Sequence, residues 1–123
     1  MTNEQKVKKN ASKQLTLTPN DHHHLSRLCG QLNENLHQIE SYFGVEINNR
    51  GNLFEVIGIP KVVDKSIQAL EQLYEETINS GIAPTPKTIM LTLKALDSDF
   101  EYSQHTTQEK LDSAAITLKD SVI

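Results

Sequence analysis

Tryptophan is absent from these 123 residues, and cysteine occurs once, at Cys29. One cysteine builds neither an internal disulfide framework nor a cysteine zinc site. No apolar run approaches the roughly 20 residues of a membrane-spanning helix. The opening MTNEQKVKKN also lacks the apolar middle of a secretory signal. A cytoplasmic protein with no membrane partner is the expectation. Repeats and low-complexity blocks are missing as well, which excludes solenoids and fibrous arrays.

What is present suits one modest core, with 37% hydrophobic and 23% charged residues. The net charge of -4 is unevenly spread. Residues 1–13 carry four Lys and one Glu, a net of +3, whereas residues 14–123 carry eight basic and fifteen acidic groups, a net of -7. An acidic body argues against a broad non-specific nucleic-acid surface, because phosphate binding draws on Lys and Arg. The arm bearing Lys6, Lys8, Lys9 and Lys13 reads as a flexible basic terminus able to approach phosphate or an acidic partner.

Apolar spacing predicts an α+β chain. Leu15 and Leu17 alternate with threonines in a strand over 14–18. Pro19 to Asp21 then start a helix with Leu25, Leu28 and Leu32 on one face, interrupted at Gly30. From Asn33 a second helix carries Leu36, Ile39, Tyr42 and Phe43 and stops at Gly44, a residue suited to a left-handed cap. The period then changes to two. Val45 to Ile47 and Leu53 to Ile57 read as strands joined by a turn over 48–52, and Val56 and Ile57 occupy opposite faces. Gly58 and Pro60 open a long helix to about Thr77, striped with Val63, Ile67, Leu70, Leu73 and Tyr74. Thr85 as N-cap and Pro86 at the first helical position begin a further helix with Ile89, Met90, Leu93 and Leu96. Beyond Asp97 the tract DSDFEYSQHTTQEK has little hydrophobic repetition and reads as a polar linker, before a closing AAITLKDSVI with strand character.

Several constellations carry no coherent chemistry. His22, His23 and His24 are consecutive, so on a helix they point about 100° apart and do not converge on one metal with Asp21. Gly81 to Thr88, GIAPTPKT, approximates a phosphate loop, but Pro86 replaces its second Gly and removes an amide donor. Cys29 follows an apolar helix face and reads as a small buried hydrophobe. Glu34, Glu40 and Glu46 lack the periodicity of paired catalytic carboxylates. No catalysis is therefore expected of this chain alone, and no cofactor or metal.

The interval Leu25 to Ile57 is more informative. It sets a tight interhelical loop beside a small sheet, where amides around Gly30 and Asn33 can meet a nucleotide backbone and an adjacent apolar strip can receive unstacked bases. This arrangement resembles a K-homology RNA-binding domain, in which a GxxG loop joins two helices before a hairpin. The corresponding loop is Gly30, Gln31, Leu32 and Asn33, with Asn in place of the second Gly. The resemblance implies the order strand-helix-helix-strand-strand-helix, a three-stranded sheet packed by helices, and here an extra C-terminal helix. A closer resemblance, over residues 14–96, is to the N-terminal region of PhoH-like proteins, carried by LSRLCGQLNENLHQIESYFGVEINNRGNLFEVIG and ALEQLYEET.

That resemblance implies an organisation. Residues 1–13 form the basic arm, 14–80 the K-homology-like domain and 81–97 the added helix. Residues 98–123 form a polar linker and the start of a P-loop ATPase domain absent from this chain, where ATP and magnesium would bind. It further implies an accessory module that binds single-stranded RNA weakly and positions it for the attached ATPase. Gly30, Gln31, Leu32 and Asn33 would make contact, flanked by Arg27, His37 and Arg50. The alternative is a protein-interaction or oligomerisation module contacting its own ATPase domain, another protein or a second copy.

Overall fold

The alternation that begins the chain builds a longer strand than its leucines define. In this computed structural model, which describes the backbone of residues 10–105 and side chains as far as residue 98, β1 spans Ala11–Thr16. Its start is set by the partner, since Ala11 pairs with Gly58 across the sheet. Three residues assigned to the basic arm therefore belong to the fold. Lys13 lies in β1 and meets Asp64 at 2.6 Å, whereas Lys6, Lys8 and Lys9 lie outside the described residues.

Helix α1 covers His22–Cys29 and is capped by Asp21, whose carboxylate accepts from the amides of His23 at 2.9 Å and His24 at 3.1 Å. A single turn over Gln31–Asn33 leads to α2, Glu34–Phe43, which ends at left-handed Gly44. Strands β2, Glu46–Arg50, and β3, Leu53–Gly58, form the hairpin. The turn is shorter than the run of Asn and Arg suggests, because residues 48–50 keep pairing with β3.

Helix α3 runs Pro60–Ser80 and stops at left-handed Gly81, three residues beyond Thr77, with no Gly or Pro inside it to end it sooner. Helix α4 starts at Pro86, with the amide of Thr88 donating to Oγ1 of Thr85 at 3.1 Å. It continues to His105, so the first eight residues read as linker, 98–105, are helical instead. Low hydrophobicity removes the packing signal but not helix propensity, and residues 87–105 contain no Gly or Pro. The closing AAITLKDSVI falls outside the described residues.

All three strands pair antiparallel in the order β1-β3-β2. The fold is thus α+β, strand-helix-helix-strand-strand-helix, with α4 as the additional helix. One sheet face meets the helices: Ile47, Phe54 and Val56 pack with Leu28, Leu36, Ile39, Leu70 and Leu73. Each such side chain contributes about 2 kcal/mol through removal from water. Val56 is buried while Ile57, on the other face, remains partly exposed. Ile89 and Leu93 seat α4 in the same core. Lys65 donates to Asp97 at 2.8 Å and Tyr42 donates to it at 3.3 Å, tying α2, α3 and α4 together.

Candidate functional site

The loop between α1 and α2 owes its shape to three of its four residues, Gly30, Leu32 and Asn33, which need unusual backbone space. Gly30 has φ 80° and ψ 177°, a conformation open essentially to glycine. Leu32 at φ 53° and Asn33 at φ 59° are both left-handed. Asn accepts that region readily, whereas for Leu it costs roughly 1–2 kcal/mol. The leucine that bears this strain is 93% exposed. Periodicity places Leu32 on the apolar face of a helix; the break at Gly30 turns it outward instead.

Asn35 holds the loop from beneath. Only 5% exposed, it donates from Nδ2 to the carbonyl of Leu28 at 3.0 Å and more weakly to that of Arg27 at 3.4 Å. Those carbonyls are among the last of α1, which otherwise lack partners within the helix. A Cβ on Gly30 would approach Asn35 Nδ2 to 2.8 Å and Glu34 Cγ to 2.9 Å. The first glycine of the loop is thus required by packing within the protein, whatever ligand the loop meets.

Across from the loop lies the edge strand β2. Its Ile47 amide donates to Oε2 of Glu40 at 2.7 Å. Alternation along an antiparallel strand then directs the Asn49 amide and carbonyl to the same open edge. Asn49 shares the helix-facing side with Ile47, and its Nδ2 lies 4.0 Å from Sγ of Cys29, the last residue of α1. This juxtaposition of Asn49 with the loop end of α1 escapes a reading by motif. Its sequence signal is parity, since a polar residue stands two positions after a buried isoleucine. Burial pushes the Cys29 thiol up to about 11.

Of the residues named from sequence, Arg27 and Gly30 to Asn33 come together. Arg27 is half-buried on the last turn of α1, its Nη1 3.4 Å from Nδ1 of His24. His37 is exposed on α2 and pairs with Glu40 at 2.9 Å. Arg50 pairs opposite Leu53 on the outer sheet face, in a shallow depression of about 240 Å³ with Gln14, Asn48 and Glu55. That face looks away from the helices and their loop.

No group of three or more His, Cys, Asp or Glu among the described residues is arranged to hold a metal ion. Asp21 is engaged as the α1 cap, and the His24 amide is the main cause holding its carboxyl below the ordinary aspartate value. Gly81 to Thr88 closes α3 and caps α4, with Thr85 serving the helix rather than a phosphate. Among the described residues no helix is long and apolar enough to cross a membrane.

No family model matches this sequence. The fold is similar to that of a crystallised protein of unknown function from Aeropyrum pernix, with a TM-score of 0.58 and 16% sequence identity. The likeness covers 78% of this chain and 51% of that one, so this chain spans about half the length of that protein. At that identity the likeness shows the fold alone.

Proposed function

We propose that this chain is a K-homology-like accessory module of a PhoH-like protein, binding single-stranded RNA weakly and presenting it to an attached P-loop ATPase domain. The observation that carries the reading is the placement of the Gly30 to Asn33 loop beside the open edge of β2, with Asn49 reaching Cys29. The amides of Gly30 and Asn33, expected from sequence to meet a nucleotide backbone, donate instead to the carbonyls of Ser26 at 2.9 Å and Gly30 at 3.2 Å, so those of Gln31 and Leu32 are left to face a phosphodiester, and the edge amide and carbonyl of Asn49 suit the hydrogen-bonding edge of an unstacked base. Arg27 supplies the nearby positive charge. The loop itself contains neither Lys nor Arg, and the acidic body opposes phosphate, so affinity is low, and with Arg27 as the nearby cation its salt dependence is shallow. Nucleotide hydrolysis in this reading belongs to the attached domain, where ATP and magnesium would bind.

Titration of the isotope-labelled 123-residue chain with single-stranded RNA, followed through backbone amides, tests it. Shifts centred on Gln31 to Asn33 and Asn49, weakened by Arg27→Ala, are the expected result. Saturating RNA that leaves those amides unmoved ends the reading.

A second reading, a docking module for a protein, is favoured by Leu32. A nearly fully exposed leucine on a strained backbone is better matched to an apolar protein pocket than to phosphate. Loss of binding to the ATPase domain on Leu32→Asp, with RNA binding absent throughout, would select it.

A further inference from the structure

The other edge of the sheet carries a separate feature. Among the described residues β1 has a strand neighbour on one side only. Leu17, just past its end, gives both backbone groups to Asn52: its amide donates to the Asn52 carbonyl at 2.9 Å, and its carbonyl accepts from Asn52 Nδ2 at 2.9 Å. Alternation therefore turns the amides and carbonyls of Gln14 and Thr16 to the open side. Open edges are normally guarded by charge, proline or a bulge. The one charged side chain of β1, Lys13, is drawn to Asp64 on α3 and leaves the edge unguarded.

Beside this edge runs a groove of about 330 Å³ between β1 and α3. Leu15, Leu17, Tyr74 and Ile78 line it, and Glu71 and Glu75 stand along it one helical turn apart. Both glutamates are exposed, and neither has a cationic partner among the described residues. Like charges at this spacing repel, so a cation between them lowers the energy of the folded state. An extended segment that combines an apolar side chain with positive charge matches this surface.

We infer that the groove receives the N-terminal arm of a second copy of this chain, forming a two-fold dimer by antiparallel addition of β1 to β1. Residues 1–9 contain Lys6, Val7, Lys8 and Lys9 and lead directly into β1. Antiparallel pairing lays the residues before one β1 along the C-terminal end of the other, where the groove lies. With the two-fold at Ser12, Val7 stands opposite Leu17 and Lys9 opposite Leu15. Opposed residues share a face of the sheet. Leu15 and Leu17 face α3, so Val7 meets the apolar floor and Lys9 reaches Glu71 and Glu75. The symmetry makes every contact twice. Because β1 and β2 are opposite edges, the dimer stands or falls independently of RNA binding at the loop.

Sedimentation velocity over a concentration series tests the dimer with three variants of the whole chain. Glu71→Lys with Glu75→Lys, and separately Lys9→Glu, the arm cation on the groove side in this register, should each weaken self-association at least about tenfold, which is about 1.4 kcal/mol. An equimolar mixture of these two variants should regain the dimer, since each groove then faces a residue 9 of opposite sign. Thr16→Pro, which removes an outward amide, should abolish pairing while circular dichroism confirms the fold. A native chain that stays monomeric throughout the series overturns the inference, and so does association that all three variants leave intact.

Discussion

The Cβ that Gly30 lacks would sit 2.8 Å from Nδ2 of Asn35, the atom that donates to the carbonyl of Leu28. The two residues form one device. Glycine leaves room for the amide, and the amide closes the exposed end of α1, so the loop is held in place before any ligand arrives. The same pair makes the loop's first position sensitive for reasons of stability alone.

Gly30→Ala should therefore cost about 2–3 kcal/mol, from the disallowed backbone and the displaced amide together. Asn35→Ala should cost about 1–2 kcal/mol through the lost cap. Combined, the two should cost less than their sum, because the collision needs both side chains. Urea unfolding of the three variants measures this, and strict additivity would show that the residues act separately.

Leu32→Asn tests the strain at the loop tip. Asn tolerates the left-handed region, and an exposed Leu loses no packing, so stability should rise by up to about 1 kcal/mol. Thermal or urea unfolding reads the change. A loss above that size would mean Leu32 packs against the protein in solution.

Cys29, with its thiol pushed up to about 11 by burial, should be inert to alkylating reagents at neutral pH in the folded chain and react freely on unfolding. Mass spectrometry before and after denaturant follows this. Rapid modification of the native protein would show that the α1 end opens.

The Lys65 hydrogen bond is the main cause holding Asp97 below the ordinary aspartate value, with Tyr42 assisting. Its folded carboxyl is lowered, so the unfolded chain binds the proton first as pH falls. The stabilisation is full above the unfolded value and is lost as pH drops through the folded one. Half-exposure of Asp97 limits the effect to about 1 kcal/mol. Asp97→Asn should flatten the acid limb of a stability-against-pH curve. An unchanged limb would mean that the contact is screened out.

Much of the architecture is legible in local spacing. The two-residue period of Leu53 to Ile57 and the helical stripe from Val63 to Tyr74 give element types directly, and Thr85 with Pro86 marks the start of α4. Element ends are less legible. β1 begins at Ala11 because Gly58 stands opposite, and pairing across 47 residues leaves no local trace. α4 runs to His105 past the point where its hydrophobic signal fades. At the candidate site, Gly30 to Asn33 is readable as a break between helices, but Arg50 falls on the other sheet face and Asn49 takes the inner position. One residue of register separates them, and register is set by the whole hairpin.

By itself, then, the sequence determined the order of elements and the place of the loop, because glycine conformations, caps and hydrophobic periods act over a few residues. Tertiary structure alone decided which side chains of different elements meet. Asn35 reaches α1, Asn49 reaches Cys29, and among the described residues β1 is left with an open edge beside Glu71 and Glu75, because each relation depends on elements distant in the chain and brought together by burial of a common core.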